Sequence, residues 1–196
     1  MPQSIRDELA RVLLAPHEAS ALDVRGRTKS AVLVPLYLDH DGLRAVLTER
    51  RHDLRRHAGE ISFPGGRHDE SDPDLQTTAL REAHEEIGLP PEAVEIVGAL
   101  QPTPTIITGY AIYPFVGLID AGRTWTLSPR EVAEVLELPL TDVLAGYGRR
   151  RLIRRGIPIR TDTYEVADKL IWGATARILA DLFDRTGPLL GAGDPR

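Results

Sequence analysis

The hydrophobic pattern of the chain alternates between helix-like spacing and short apolar runs. Helical spacing predicts a first helix over residues 4–14, capped by Ser4, and a last helix that begins after a cap at Asp168. Apolar and β-branched runs predict strands at 30–38, 43–48, 94–100, 110–119, 131–138, 151–155 and 158–164. Strands interspersed with helices and hairpins indicate an α+β fold with a mixed sheet between helices, an α/β/α arrangement.

The segment from Asp72 to Gly88 carries clear start and stop signals of a helix. Asp72 is expected to be the N-cap and Pro73 the first helical residue, where a missing N–H needs no partner. Gly88 predicts the end of the helix, and two prolines after it prevent resumption. We therefore expect a helix over residues 73–87. Its expected buried stripe consists of Leu75, Ala79, Ala83 and Ile87.

The composition is that of an ordinary globular protein and excludes several classes. Of the 196 residues, 42% are hydrophobic and 27% charged, which fits one domain with a modest extension. The net charge of -5 argues against wrapping a nucleic-acid backbone, and no apolar run reaches the ~20 residues that span a bilayer. Without cysteine, disulfides and thiolate chemistry are excluded. Because the first residues lack the apolar core of a signal peptide, we expect a cytoplasmic protein.

Three carboxylates cluster on the expected central helix. Glu82, Glu85 and Glu86 are three and four residues apart, so they share one helix face with Cβ atoms ~5–6 Å apart. This face lies away from the apolar stripe. The negative charges repel one another and oppose the helix dipole near its C-terminal end, and Arg81 offsets only part of this repulsion.

This acidic face has two interpretations from spacing alone. A hard divalent cation would remove the repulsion, and carboxylate oxygens are ligands that suit Mg²⁺ or Mn²⁺. Alternatively, the face is solvated, as charged side chains on helices commonly are.

The sequence REAHEEIGL at 81–89, with Gly66 upstream, resembles the Nudix box of the Nudix hydrolases. The general pattern is G-x5-E-x7-R-E-U-x-E-E-x-G-U, where U is an apolar residue. The interval from Gly66 to Arg81 is one residue longer here, so the position of the first Glu falls on Pro73. Three acids lie near that position: Asp69, Glu70 and Asp72.

The preceding segment, 46–66, resembles more specifically the coenzyme A pyrophosphatase branch of this family. The branch pattern is L-[LMV]-T-x-[RK]-[SA]-x3-[RKH]-x3-G-x3-F-P-G-G, followed by x-x-D-x-x-D. The chain keeps every fixed spacing, with Val46 for the leading Leu and Arg51 for the small residue. The matching positions are Leu47, Thr48, Arg50, Arg55, Gly59, Phe63, Pro64, Gly65 and Gly66. Residues 164–179 also look like the C-terminal segment of this branch.

The resemblance implies a Nudix fold and cleavage, dependent on Mg²⁺ or Mn²⁺, of a diphosphate linked to a nucleoside. For the branch, the substrate is coenzyme A or its thioesters. The products are adenosine 3′,5′-bisphosphate and 4′-phosphopantetheine or its acyl form. We expect an N-terminal helix and lead-in at 1–28, a Nudix domain at 29–186 with its box at 66–89, and a loose tail at 187–196.

The same resemblance implies roles for the box residues. The expected metal ligands are Glu82, Glu85, Glu86 and the carbonyl of Gly66. One glutamate, Glu85 or Glu82, instead deprotonates the attacking water, and the sequence does not divide these roles. Arg81 is expected to orient a glutamate through a salt bridge within the helix.

An arginine-rich segment before the box is expected to bind the substrate. Arginine offers a planar fork of donors that fits phosphate oxygens in pairs. Coenzyme A carries a 3′-phosphate that most nucleoside diphosphate substrates lack, and we favour Arg50 and Arg55 as phosphate contacts. The full expected set is Arg50, Arg51, Arg55, Gly65 and Arg67.

Two other functions compete with coenzyme A hydrolysis. One is hydrolysis of another substrate, such as ADP-ribose or a nucleoside triphosphate. The other is a Nudix-fold module that senses a nucleotide without cutting it, which we rank lower because all box glutamates are present. The expected partner is a small molecule rather than nucleic acid or membrane, and a homodimer stays open.

Overall fold

The structure is a computed structural model that describes residues 3–53, 59–105, 108–154 and 157–190. Its helices are α1 (Gln3–Val12), α2 (Pro16–Ala21), α3 (Leu75–Ile87), α4 (Leu140–Ala145) and α5 (Gly173–Thr186). Its strands are β1 (Thr28–Asp39), β2 (Gly42–Arg50), β3 (Ile61–Ser62), β4 (Gly65–Arg67), β5 (Glu95–Ala99), β6 (Thr103–Pro104), β7 (Tyr110–Leu118), β8 (Val132–Pro139), β9 (Tyr147–Arg154), β10 (Ile157–Val166) and β11 (Lys169–Trp172). Short 3-10 turns occupy Pro91–Ala93 and Gly187–Leu190.

A mixed sheet forms the centre of the fold. Over the described ranges its strand order is β3-β2-β1-β7-β5, and β8 pairs with β2, β4 with β1, and β6 with β7. β1 and β7 run parallel, with Ala31 opposite Tyr113, whereas the other pairs are antiparallel. β9, β10 and β11 form a separate antiparallel sheet. The parallel pair within an otherwise antiparallel sheet confirms the predicted α+β class.

Helices cover both faces of the mixed sheet. On one face, α3 packs against apolar side chains of the central strands that include Leu33 and Phe115. On the other face, α1, α4, α5 and the small sheet pack around residues such as Leu36 and Val116. The predicted α3 stripe is buried at Leu75, Ala79, Ala83 and Ile87. Removing these apolar faces from water holds α3 against the sheet.

The start of α3 differs from the prediction. Its N-cap is Asp74, whose side chain accepts a hydrogen bond from the Thr77 N–H at 2.7 Å. The prediction of Asp72 as the cap was wrong, because the Asp72 carboxylate binds Arg81 instead. Gly88 ends the helix as predicted, in the left-handed conformation with φ of 69°.

The prediction that Asp168 caps the last helix was also wrong. Ala167 and Asp168 form a turn with φ of 49° and 60°. The next four residues pair with β10 as β11, so α5 begins only at Gly173. This pairing buries Ile171 in the core, and the packing overrides the local capping signal.

The two ends of the chain also depart from expectation. Ser4 lies inside α1 rather than capping it, and α2 was not predicted. Leu189 and Leu190 of the last 3-10 turn pack against the core on the α5 side, whereas residues 191–196 of the expected tail lie outside the described residues. Every helix in the described ranges is too short or too polar to span a bilayer.

Candidate active site

Two glycines bring the loop before α3 close to the acidic face of that helix. Gly65 and Gly66 of β4 pair with Val32 and Ala31 of β1. A Cβ at Gly66 would overlap the carboxylate of Glu82, and a Cβ at Gly65 would overlap the carbonyl oxygen of Ala31. The absence of a side chain at Gly66 therefore lets Glu82 of α3 lie against β4. The absence of a side chain at Gly65 lets the backbone of β4 lie close to that of β1.

Glu86 is a carboxyl buried against this glycine loop. Its side chain is only 5% exposed, and one oxygen accepts a hydrogen bond from the Gly65 N–H at 3.3 Å. The cation beside it is Arg50, whose Nη1 lies 3.7 Å from the other oxygen. Burial raises the pKa of Glu86 to about 8, because Arg50 and the single N–H offset only part of the lost hydration.

Glu82 and Glu85 share the guanidinium of Arg81 but differ in burial. The Glu82 side chain is 17% exposed, and burial raises its pKa. The Glu85 side chain is 57% exposed. Arg81 Nη1 lies 3.0 Å from Glu82 and 3.2 Å from Glu85. Arg81 therefore stands between the two carboxylates and reduces their repulsion.

Asp72 holds Arg81 in this position. Its two carboxylate oxygens accept from Arg81 Nε at 2.9 Å and Nη2 at 3.0 Å, a paired geometry that fixes the guanidinium plane. Thr78 also donates to Asp72 at 2.8 Å. The bonds from Arg81 lower the pKa of the Asp72 carboxyl well below its usual range. The second Asp of the D-x-x-D spacing signalled this residue, although we interpreted it as a helix cap.

Glu131 is a fourth carboxylate near the site, to which we gave no role from the sequence. The loop before it docks on the end of α3, where the Ser128 N–H donates to the Glu86 carbonyl at 2.8 Å. Arg50 Nη2 lies 3.8 Å from Glu131, and the charge of Glu131 contributes to the raised pKa of Glu82 and Glu86. Glu131 follows the box by more than forty residues, so no local spacing indicates it.

The arginine-rich segment is only partly directed at the site. Arg50 faces Glu86, and its Nε is buried without a hydrogen-bond partner. Arg51 instead binds Asp53 through Nε at 2.9 Å and Nη2 at 2.7 Å. Arg67 is exposed, and its carbonyl accepts from Arg81 Nη2 at 3.3 Å. The remaining predicted contact, Arg55, lies outside the described residues.

The side chains present fit a hard divalent cation. Their donors are all oxygen atoms, which suits Mg²⁺ or Mn²⁺. Glu82, Glu85 and Glu86 do not bring three ligand atoms within 4.8 Å of one another. In the described ranges, Asp39, His40 and Asp41 at the β1–β2 turn do so, with two carboxylate oxygens and one imidazole nitrogen. Glu86 is nevertheless buried and Glu82 partly buried, both with raised pKa values, which is a state that a bound cation would relieve.

Comparison with known proteins identifies the family. Residues 27–155 match the NUDIX domain, and the chain belongs to the Nudix hydrolase family. A relative from Enterobacter sp. (strain 638), described as uncharacterized Nudix hydrolase NudL, is 39% identical over 182 residues, which cover 91% of this chain and 93% of the relative. A NudL from Citrobacter koseri is 37% identical with the same coverage. Nudix hydrolases generally use divalent cations such as Mg²⁺ or Mn²⁺.

Solved structures confirm the Nudix fold. A MutT/nudix family protein from Enterococcus faecalis superposes with a TM-score of 0.56 at 13% identity, covering 96% of this chain and 75% of that one. The NUDIX domain of Shewanella oneidensis NrtR, solved with ADP ribose, gives a TM-score of 0.50 at 22% identity, covering 64% and 79%. At these identities the likeness shows the fold alone.

Proposed function

We propose that the protein hydrolyses the diphosphate bond of coenzyme A or its thioesters. The products are adenosine 3′,5′-bisphosphate and 4′-phosphopantetheine or its acyl form. The observation that carries the proposal is the buried carboxyl of Glu86 and the partly buried carboxyl of Glu82, both set against the glycine loop that ends the coenzyme A signature. Family membership supports hydrolysis, and the signature at 46–66 supports this substrate.

In this proposal Glu82, Glu85 and Glu86, with the carbonyl of Gly66, hold Mg²⁺ or Mn²⁺. When bound, such a cation neutralises phosphoryl oxygens and lowers the pKa of a water molecule. Glu86 accepts the Gly65 N–H, which fixes its carboxylate beside the loop. Glu131 adds a fourth carboxylate, which lies 3.8 Å from Arg50 Nη2.

One of these glutamates, Glu82 or Glu85, takes the proton of the attacking water instead of holding a cation, and the geometry favours Glu82. Its carboxylate lies against Gly66, and burial raises its pKa, which makes it a stronger base than an exposed carboxylate. Glu85 is largely exposed, and because Arg81 contacts both glutamates, burial is what separates them. Arg81, fixed by Asp72, orients both groups without itself accepting a proton.

Arg50 positions the diphosphate in this scheme. It lies between Glu86 and Glu131, and a guanidinium offers paired donors that fit phosphate oxygens. Arg51, Arg55, Gly65 and Arg67 complete the proposed substrate-binding set. The bonds of Arg51 to Asp53 must open before that side chain reaches a phosphate.

Product analysis tests this function. Purified protein is incubated with Mn²⁺ or Mg²⁺ and, separately, coenzyme A, dephospho-coenzyme A, ADP-ribose and a nucleoside triphosphate. We expect release of adenosine 3′,5′-bisphosphate from coenzyme A, and a loss of at least about hundredfold in Glu86→Gln. Glu92→Gln, which changes an exposed glutamate just beyond α3, should leave the rate unchanged.

Three results would contradict the proposal. Cleavage that persists after chelation of all divalent cations would remove the role of the acidic face. A strong preference for ADP-ribose or a triphosphate would assign a different substrate. Binding of coenzyme A without products over hours, in either cation, would indicate a sensing module.

A further inference from the structure

Arg50 lies between two carboxylates and is close to both without hydrogen bonding to either. Its Nη1 is 3.7 Å from Glu86 Oε1, and its Nη2 is 3.8 Å from Glu131 Oε2. Both separations exceed the range of an N–H···O hydrogen bond, which ends at about 3.2 Å. The guanidinium therefore interacts with the two carboxylates through its charge, and a small movement brings it into hydrogen-bond contact with one or the other.

The two carboxylates differ in their surroundings. The Glu86 side chain is 5% exposed, and its other oxygen, Oε2, accepts a hydrogen bond from the Gly65 N–H. The Glu131 side chain is 50% exposed, so water hydrates it. The oxygen of Glu86 that faces Arg50 is thus not the one that Gly65 uses. A divalent cation bound to Glu86 would therefore lie close to the charge of Arg50.

The backbone fixes Glu131 beside Arg50. The β2–β8 register shifts between Glu49 and Arg50, so Arg50 lies opposite Val132. The next residue, Arg51, donates its backbone N–H to the Glu131 carbonyl at 3.0 Å. Irregularities of this kind redirect side chains at the ends of strands. Strand pairing thus holds Glu131 next to Arg50 whether or not a ligand is bound.

A divalent cation at Glu86 changes the balance between the two carboxylates. Positive charges a few ångströms apart repel strongly where water is largely excluded. No hydrogen bond joins Arg50 to Glu86, so the guanidinium can leave that carboxylate without losing one. Glu131 already lies near the other terminal nitrogen of Arg50 and offers the negative charge that Glu86 then shares with the cation.

We propose that Glu131 is a positioning residue for Arg50. When a divalent cation occupies Glu86, Arg50 pairs with Glu131, which keeps the guanidinium at the site for the diphosphate. This inference rests on the proposed function, in which Glu86 holds the cation and Arg50 contacts the diphosphate. Glu131 acts through Arg50 and contacts neither the cation nor the reacting atoms.

A double-mutant cycle of Mn²⁺ affinity tests this assignment without substrate. Calorimetry at pH 8 compares the wild type, Arg50→Gln, Glu131→Gln and the double variant. We expect Arg50→Gln to bind Mn²⁺ at least about threefold more tightly, because Arg50 opposes Mn²⁺ about twice as strongly as it opposes the single proton that Mn²⁺ displaces. Glu131→Gln alone should weaken binding about tenfold, since Arg50 then stays at Glu86.

The effect of Glu131→Gln in the two backgrounds decides between two roles of this glutamate. If Glu131 acts through Arg50, the loss of Mn²⁺ affinity should be at least about threefold larger with Arg50 present than in the Arg50→Gln background. An equal or larger loss in that background would overturn the assignment, because Glu131 would then act on the cation directly.

The matched control for charge removal is Glu134→Gln. Glu134 lies on β8 like the last residues of the β2–β8 ladder, but it pairs with Lys169 at 3.1 Å. Its substitution should leave Mn²⁺ affinity unchanged. Arg50→Lys keeps the positive charge and should bind Mn²⁺ nearly as the wild type does. Tighter binding by Arg50→Lys that equals that of Arg50→Gln would overturn the role of charge.

Steady-state kinetics at saturating Mn²⁺ separate positioning from chemistry. We expect Glu131→Gln to raise KM for coenzyme A about threefold to tenfold with kcat nearly unchanged, because Arg50 is then poorly placed for the diphosphate. A fall in kcat with KM unchanged would overturn the assignment, since Glu131 would then act in the chemical step.

The calorimetric cycle also distinguishes failure of this inference from failure of the proposed function. If Mn²⁺ binds but coenzyme A is not cleaved, the proposed function fails and the cycle still decides the role of Glu131. Absence of Mn²⁺ binding to the wild type would overturn both. The side chains of Arg50 and Glu131 are 29% and 50% exposed, so we expect the variants to fold, which circular dichroism checks. Arg50→Met takes the place of Arg50→Gln in the cycle if the latter does not fold.

Discussion

Burial of Glu86 sets its charge in the protein without a divalent cation. The carboxyl lies among the glycine loop, Arg50 and the end of α3, and its pKa rises to about 8. At neutral pH the group is therefore mostly protonated, and a cation that binds there must displace the proton. Glu86 therefore accepts a hydrogen bond from the Gly65 N–H and also offers a carboxylate to a divalent cation.

A pH dependence of stability follows from Glu86. The folded protein holds a proton on Glu86 between the ordinary pKa of 4.5 and about 8, whereas the unfolded chain does not. In chelator, the free energy of unfolding should therefore fall as pH rises through this window, by up to about 1.4 kcal/mol per pH unit. Denaturant titrations at pH 5.5 and 8 measure it, with Glu86→Gln as the matched variant. If the free energy of unfolding changes equally with pH in both proteins, the raised pKa does not belong to Glu86.

The sequence indicated which residues form the acidic face, but not their separate environments. The spacing of Glu82, Glu85 and Glu86 is a local property of a helix, and it placed all three correctly on α3. Their burial depends on Gly66 and on the loop before Glu131, which approach α3 through the tertiary fold. For that reason helical spacing could not predict that Glu86 is buried or that Glu131 lies near the site.

At the scale of elements, α3 and β4 form one unit joined by side chains of the intervening loop. Asp74 caps the helix, while Asp72 fixes Arg81 and its two glutamates. The same sequence signal, an acid before an apolar stripe, describes both aspartates. The local sequence could not show which aspartate caps the helix. Asp72 binds the side chain of Arg81, nine residues later, and this contact leaves Asp74 as the cap.

The two glycines of β4 give a matched pair of variants. Gly66→Ala meets only the end of the Glu82 side chain, so we expect turnover to fall at least about tenfold with a stability change under about 1 kcal/mol. Gly65→Ala meets the backbone of β1, so we expect a loss of about 1–3 kcal/mol in the free energy of unfolding. Urea unfolding and hydrolysis assays on both proteins separate the effects. Full turnover by Gly66→Ala would contradict the placement of Glu82.

The strand and helix pattern was recovered where local signals and packing agree. β1, β2 and β7 are apolar runs that become buried central strands, and α3 carries the stripe that packs on them. β11 was missed because its four residues read as the start of a helix. Pairing with β10 makes this segment a strand. Helical spacing within residues 169–172 carries no information about that pairing.

At the scale of the whole molecule, the mixed sheet separates α3 from α5. One face carries α3 with its acidic group, and the other carries α5. The loop between β3 and β4 joins them, because Ile61 binds Thr175 while Gly65 binds Glu86. The segment that leads into β4 therefore connects the start of α5 with the acidic face of α3.

Calorimetric titration of Mn²⁺ tests most directly the claim that the acidic face of α3 holds a divalent cation. The wild type, Glu86→Gln and Glu92→Gln are compared in the same buffer at pH 8. We expect the wild type and Glu92→Gln to bind with equal affinity, and Glu86→Gln to bind at least about tenfold more weakly. Equal affinity in all three proteins would contradict the claim.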